Sequence, residues 1–148
     1  MACRAGTETP FHLGDTLDWR WANVNATFTY GRGRKGPERR RVLPAGAFRL
    51  VNRWGLAEMN GQLLEWCGDQ WHVEPNAPGW PADGTAWEGE DPKLADVPQE
   101  REMWLMRGGS WYDDTSNCRS ACRDNDYPNQ RNSYGGFRPC CSLSPGPS

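Results

Sequence analysis

Apolar and polar residues alternate only over short, scattered segments of this chain. Residues 59–67 combine a turn with an apolar run and predict a strand, and residues 102–107 predict a second one. Looser alternation predicts one or two short strands within residues 11–30, and residues 48–52 are expected to be extended. Short strands joined by long irregular segments are therefore expected.

The stretch 107–138 has no apolar period of 3.6 or 2 residues, so it predicts a long ordered loop. Some of its positions carry what a core and tight turns need: glycines, arginines that bridge loop carbonyls, and an aromatic ring to bury. These anchors are Arg107 to Trp111, Arg119 to Ala121, Arg123 and Gly136 to Arg138. Small polar residues and tyrosines fill most of the other positions and predict a polar surface.

Composition favours a loop-rich fold. With 148 residues the chain makes one domain, but its apolar content is only 36%. The nine Trp are therefore expected to carry much of the burial, because each large aromatic hides roughly 150–250 Å². Residues 72–98 are rich in Pro, Gly and acidic residues, and predict an irregular loop held by Trp80 and Trp87.

Charge and hydropathy narrow the range of partners. A net charge of -2 gives no reason to expect nucleic acid, and no apolar run is long enough to span a membrane. The N-terminus lacks the apolar core of a signal peptide, so a cytoplasmic location is the default expectation. Six basic residues in 31–41 form either a phosphate-binding patch or a solvated loop. The loop is favoured, because Glu38 interrupts the charges and no aromatic residue lies between them.

The six cysteines show no disulfide framework and are expected to be mostly reduced thiols. Zinc is disfavoured, because the two histidines are far apart and Cys118 and Cys122 lack a matching second pair.

Three residues are candidate calcium ligands. Glu65 lies within an apolar run, where a carboxylate needs either a salt bridge or a cation. Asn23 and Asn25 carry side-chain oxygens that bind calcium in some loops and cap the backbone in others.

Several motifs together resemble the formylglycine-generating enzyme (sulfatase-modifying factor) family. They are Trp54 to Leu56, Met59 to Trp66, Arg107 to Trp111, Arg119 to Arg123 and Gly136 to Arg138. The resemblance implies an α+β, C-type-lectin-like fold with short antiparallel strands and little helix. It covers one domain over residues 1–141, which corresponds to the later part of the family domain. Residues 142–148 are expected to be a disordered tail.

The resemblance also allows the family's catalytic residues to be compared with the residues of this chain. Enzymes of this family oxidise a substrate cysteine with two copper-binding cysteines, at positions that correspond to Asp113 and Cys118 here. Asp is a hard, redox-inert ligand, so copper and oxidase activity are disfavoured. One of the family's calcium sites uses an Asn where this chain has Gln62, whose longer side chain displaces the ligating oxygen. We therefore expect no catalytic residue and no firm metal site.

The stretch 107–138 resembles the variable proteins of diversity-generating retroelements more closely than it resembles the enzymes. These variable proteins use the same fold. Their mutagenesis turns AAC codons into NNC codons, which encode Asn, Asp, Tyr, Ser, Gly, Cys and Thr, but never Lys, Glu or Gln. Gln130 does not fit this set, whereas Thr115 does, and neither Lys nor Glu occurs between Ser110 and Phe137. The predicted ligand-binding residues are Tyr112, Asp113, Asp114, Ser116, Cys122, Asp124, Asn125, Asp126, Tyr127, Asn129, Asn132, Ser133, Tyr134 and Gly135.

These residue types are typical of antibody-like binding surfaces, because Tyr gives contact area and small polar residues adapt their hydrogen bonds. The sequence therefore predicts a non-catalytic protein that binds an unknown ligand, expected to be a protein. A formylglycine-generating oxidase and a purely structural module of the family are the alternatives.

Overall fold

Four short strands form one mixed sheet, and turns and loops make up nearly all of the remaining described chain. The computed structural model describes residues 2–89, 91–97 and 102–140. The strands are β1 (Leu64–Gln70), β2 (Trp104–Arg107), β3 (Asp124–Asp126) and β4 (Gly135–Gly136), and a 3₁₀ helix spans Pro92–Leu94. The expectation of a loop-rich fold with little helix is confirmed.

The stretch 107–138 forms both edges of the sheet. The strand order is β3-β2-β1-β4, with β1 antiparallel to β2 and β2 antiparallel to β3. β4 pairs with β1 in parallel, with Leu64 opposite Gly135. The predicted binding stretch is thus anchored to the sheet by main-chain hydrogen bonds at two points, and its intervening residues form the loops.

Of the predicted strand regions, 59–67 and 102–107 are confirmed and 11–30 is wrong. β1 and β2 lie within or overlap the segments 59–67 and 102–107. Residues 11–30 form turns with two isolated bridges, Phe11 with Gly14 and Asn25 with Asp114. Residues 48–52 likewise have no strand, only a bridge from Val51 to Ala57. Within residues 11–30, successive turns bring Phe11, Leu17 and Val24 to the core, which produces an alternation without a strand.

The fully buried core consists of Phe11 with small and aliphatic side chains and contains no Trp, so the expectation that Trp carries much of the burial holds only for partly buried rings such as Trp19, which packs against this core. None of the nine Trp is fully buried, and Trp54 is 58% exposed. The main buried cluster consists of Phe11, Leu17, Ala22, Val24, Ala26 and Cys118. The Trp rings cover the outside of the fold instead, and Trp87 stacks on His72 with ring centroids 3.5 Å apart and packs against Trp80.

Gln62 joins three loops that are distant in sequence. Its side-chain oxygen accepts hydrogen bonds from Asn23 Nδ2 (2.7 Å) and Leu43 N (3.2 Å), and its amide nitrogen donates to Leu43 O (2.5 Å). Its main-chain nitrogen donates to Asn23 O (2.8 Å), and its main-chain oxygen accepts from Trp111 N (3.1 Å). Because Gln62 is only 7% exposed, water cannot easily replace these bonds.

We expect Gln62→Ala to lower the free energy of unfolding by about 2–4 kcal/mol, since it leaves buried donors and acceptors without partners. Urea denaturation measures this loss. Gln62→Met keeps most of the volume and the main-chain hydrogen bonds but none of the side-chain hydrogen bonds, and should cost about as much.

The matched control is Gln130→Ala, because the Gln130 side chain is exposed. This change should stay within about 0.5 kcal/mol of the parent. Equal losses at positions 62 and 130 would contradict the role assigned to Gln62.

Candidate functional site

The loop that begins the candidate site depends on two glycines. Gly108 and Gly109 have φ angles of 100° and 69°, in the left-handed region that favours glycine. A Cβ on Gly109 would lie 2.5 Å from Cys118 Sγ. Gly61 N donates to Gly108 O (2.8 Å), which ties this loop to the turn before β1.

Three arginines fix the middle of the stretch from its inner side. Arg107 donates to Ser120 O (2.7 Å), and Arg119 donates to Ser116 O (2.7 Å). Arg123 donates to His72 O (2.6 Å), and its guanidinium lies 4.3 Å from the Trp71 ring. Since these guanidinium groups bind loop carbonyls, they serve as the anchors that the sequence predicted.

An aromatic cluster joins the two halves of the stretch. Trp111 Nε1 donates to Ser133 O (3.0 Å). The ring of Tyr112 lies 5.8 Å from that of Trp111 and stacks on Tyr134 at 5.9 Å. Tyr112 is 61% exposed, so the cluster presents aromatic surface to solvent. Residues 111–112 and 133–134 therefore form one surface.

None of the fourteen predicted ligand-binding residues is fully buried. The exposed ones are Tyr112, Asp124, Asn129 and Ser133. The half-buried ones are Asp113, Asp114, Ser116, Cys122, Asn125, Asp126, Tyr127, Asn132, Tyr134 and Gly135. Thr115, which the codon set would also admit, is fully buried and accepts a hydrogen bond from Tyr30 N (2.6 Å), so it belongs to the scaffold.

Some of the half-buried residues shape the loop. Asp113 Oδ2 accepts from Ser110 N (2.9 Å) and Ser110 Oγ (2.6 Å), and Asp114 Oδ1 accepts from Ser116 N (2.8 Å). Asn132 donates to Asp126 Oδ2 (3.1 Å). A Cβ at Gly135 would lie 2.7 Å from Asn132 Oδ1, so a larger residue there requires Asn132 to move. These positions combine exposure with a structural role.

A cavity of about 210 Å³ opens between β2 and the loops of the stretch, and Met106, Asp113, Cys122, Arg123 and Asp124 are among its lining residues. Although Asp124 is exposed as a residue, its carboxylate faces this cavity. Partial burial raises the pKa of Asp124, and the nearby Asp113 and Asp126 raise it further.

Sequence analysis did not predict most of the residues that line a second cavity, of about 310 Å³, beside β4. Trp66, Gln130, Arg131 and Phe137 line it together with Asn132 and Gly135. Phe137 is 78% exposed, although it was counted among the anchors. Its position directly after the edge strand β4 is the reason, and only the pairing of β4 with β1 could have revealed it.

The residues at the family's copper position do not fit that metal. Cys118 is fully buried in the main core cluster, and burial raises the pKa of its thiol well above the ordinary value. Asp113 and Asp114 raise this pKa further. Copper(I) needs two accessible soft ligands, whereas this pair offers one core thiol and one carboxylate that binds Ser110.

The three calcium candidates do not fit calcium either. Glu65 gives both carboxylate oxygens to Arg138, at 2.6 and 3.0 Å, as the salt-bridge alternative predicted. Asn25 Oδ1 accepts from Thr27 N (3.1 Å) and thus caps its loop. Asn23 Oδ1 is buried without a hydrogen-bond partner, but one amide oxygen falls far short of the six to eight oxygen ligands that calcium takes.

The described residues contain no group of three or more His, Cys, Asp or Glu side chains placed to hold a metal ion. Cys3, Cys67, Cys118, Cys122 and Cys140 are free thiols, whereas Cys141 and the predicted tail 142–148 lie outside the described part. No helix in that part is long and apolar enough to cross a membrane.

The loop-rich sheet and the Gly-Gly turn define a C-type-lectin-like domain of the type found in formylglycine-generating enzymes. Residues 1–142 match the family model of the sulfatase-modifying factor enzyme 1-like domain, and the chain belongs to this family. No curated relative matches the chain.

Two solved structures share the fold. PvdO from Pseudomonas aeruginosa is 30% identical with a TM-score of 0.68, and the match covers 92% of this chain and 46% of that one. Treponema denticola variable protein 1 is 20% identical with a TM-score of 0.60, and the match covers 92% of this chain and 42% of that one. The chain thus spans less than half the length of either protein.

We expect the Cys118 thiol of the folded protein to resist alkylation, because its raised pKa keeps it protonated and its burial blocks access. Mass spectrometry after iodoacetamide treatment at pH 8 should show Cys140 modified and Cys118 modified only in urea. A native protein that is alkylated at Cys118, or that binds copper(I) through it, would contradict this assignment.

We expect calcium to leave the stability unchanged. A site with a dissociation constant near 10 µM would stabilise the protein by about 2.7 kcal/mol in about 1 mM calcium, and would raise Tm by several degrees. Calorimetry in calcium and in EGTA should give the same Tm. A reproducibly higher Tm in calcium than in EGTA would show that the folded protein binds the ion and would contradict this expectation.

Proposed function

We propose that this chain is a non-catalytic binding protein, a variable protein of a diversity-generating retroelement, that recognises its ligand through residues 112–135. The observation that carries the proposal is the aromatic cluster of Trp111, Tyr112 and Tyr134, which presents an exposed tyrosine on anchored loops. The likeness in fold to a protein named as a variable protein supports it.

The bonds that hold the stretch in place do not involve several of its surface side chains, and this also supports the proposal. Main-chain hydrogen bonds and arginine side chains hold the stretch in place, so several surface side chains can change without loss of these bonds. Asn125, Tyr127, Asn129 and Ser133 belong to this group, because none of their side chains forms a hydrogen bond to the scaffold in the described chain.

The oxidase is the rival function. Its two copper ligands correspond to Asp113, which binds Ser110, and to Cys118, which lies in the core. The same chemistry would need a different thiol, and Cys122 donates its S–H to Ser116 O (3.1 Å) at the rim of the cavity. The geometry therefore favours recognition over oxidation.

Two displayed libraries test the proposal without knowledge of the natural ligand. The surface library places NNC codons at Tyr112, Asn125, Tyr127, Asn129, Ser133 and Tyr134. The control library places the same codons at six buried positions whose residues also belong to the NNC set: Asn23, Asn60, Ser110, Thr115, Cys118 and Ser120. We expect most surface variants to fold, and about a tenth or fewer of the buried ones.

Binding is measured in the surface library with hen egg-white lysozyme as an arbitrary target. Selected clones should bind lysozyme with micromolar or better affinity. Returning position 112 or 134 of such a clone to Tyr should change that affinity but not the Tm. Equal folding in both libraries would overturn the division into scaffold and surface. A folded surface library without any lysozyme binder after repeated selection would overturn the binding function.

A further inference from the structure

The net charge of -2 conceals two segments of opposite sign. Residues 31–53 hold eight Lys or Arg and one acidic residue, which gives a formal charge of +7. Residues 65–102 hold ten Asp or Glu and two Lys or Arg, which gives -8. Local charge decides how a surface meets a charged partner, so the whole-chain value does not exclude a polyanion.

Most cations of residues 31–53, here called the basic segment, form no ion pair within the described chain. The hydrogen bond from Arg20 lowers the pKa of the Asp18 carboxyl, and Arg34 is near enough to Asp18 to lower that pKa further. Arg40 pairs with Glu38 (2.7 Å), and Arg39 donates to Ala22 O (3.3 Å). The other six form no ion pair and no side-chain hydrogen bond within the described chain, and all are exposed: Arg32, Arg34, Lys35, Arg41, Arg49 and Arg53. Such a density of unpaired like charge is repulsive unless an anion binds to it.

The basic segment is held against the fold. Gly36 N donates to Ala26 O (3.0 Å), and a Cβ on Gly36 would lie 2.0 Å from the Trp19 ring. The Arg39 guanidinium lies 5.6 Å from the Trp19 ring and 5.3 Å from the Phe48 ring. These contacts order the loop in advance, which lowers the entropy cost of binding.

Two exposed aromatic rings lie close to the basic segment in the sequence. Trp54 is 58% exposed and follows Arg53 at the tip of a turn that Asn52 N closes by donating to Leu56 O (2.9 Å). Trp21 is 43% exposed, with the Arg20 guanidinium 5.7 Å from its ring. Unstacked bases can stack on such rings, whereas an acidic peptide gains little from them.

We propose that the basic segment, together with Trp21 and Trp54, binds single-stranded nucleic acid. Seven of its eight basic residues are Arg, whose planar guanidinium binds phosphate oxygens through two parallel hydrogen bonds. Phosphate contacts supply the affinity, and stacking selects single strands over duplexes. This surface is separate from the proposed ligand-binding stretch, so either function stands without the other.

The test is fluorescence anisotropy with a fluorescein-labelled oligothymidylate of about 20 nucleotides, at several NaCl concentrations. The whole chain should bind at low salt. The variant R32Q/R34Q/K35Q should bind at least about tenfold more weakly, and its salt slope should be smaller by about 2, since each neutralised phosphate contributes about 0.7. Trp54→Ala should weaken binding about fivefold or more at every salt concentration.

R131Q is the matched control, because Arg131 is exposed and lies outside the basic segment. It should change the affinity less than about twofold, as should Y112A/Y134A. No binding at low salt, an equal loss in R131Q or Y112A/Y134A, or equal affinity for a duplex would overturn the proposal. Displacement of the oligonucleotide by an equimolar oligoglutamate would overturn it in favour of an acidic protein partner.

Discussion

The hydrogen bonds of Gln62 are the constraint on which the rest of this fold depends. A chain with so few aliphatic residues cannot hold its loops by burial alone, because a small core offers little free energy against the entropy of long loops. One buried residue supplies the missing connections, because its side-chain amide binds Asn23 and Leu43 and its main-chain oxygen accepts from Trp111 N. Such a network must be nearly complete, since an unpaired buried group costs more than a satisfied one contributes.

The network explains how a surface can vary on this fold. Trp111 reaches Gln62 through main-chain atoms, and β3 joins β2 through main-chain pairing. The N–H groups of Asn125 and Tyr127 donate to the carboxylates of the preceding Asp124 and Asp126, both at 2.8 Å. The main chain of this segment is therefore bonded without use of the Asn125 and Tyr127 side chains.

Sequence patterns could reveal only the strands that contain buried apolar side chains. β1 and β2 were predictable because each contains buried apolar residues, Leu64 at the start of β1 and Leu105 and Met106 in β2. β3 and β4 were not, because Asp124–Asp126 and Gly135–Gly136 become strands by pairing with the free edges of β2 and β1. A polar strand of this kind has no pattern of its own.

The candidate site was predictable in part. Residue types indicated which positions of the stretch reach the surface, and none of those named is fully buried. Their structural roles could not be predicted, because the hydrogen bond from Ser110 to Asp113 depends on a loop conformation that no sequence spacing encodes. The pairing of Glu65 with Arg138 was anticipated as one alternative, but its partner lies 73 residues away.

The same network connects the two proposed surfaces. Asn23 Nδ2 donates to Arg41 O (2.8 Å), and Gln62 binds both main-chain groups of Leu43. Residues 41–43 of the basic segment are therefore held by the same residue, Gln62, that binds Trp111. Side chains on either surface can change independently, because neither set contributes a side chain to these bonds. A change within the network should instead disturb both surfaces together, because both are attached to the same buried residue.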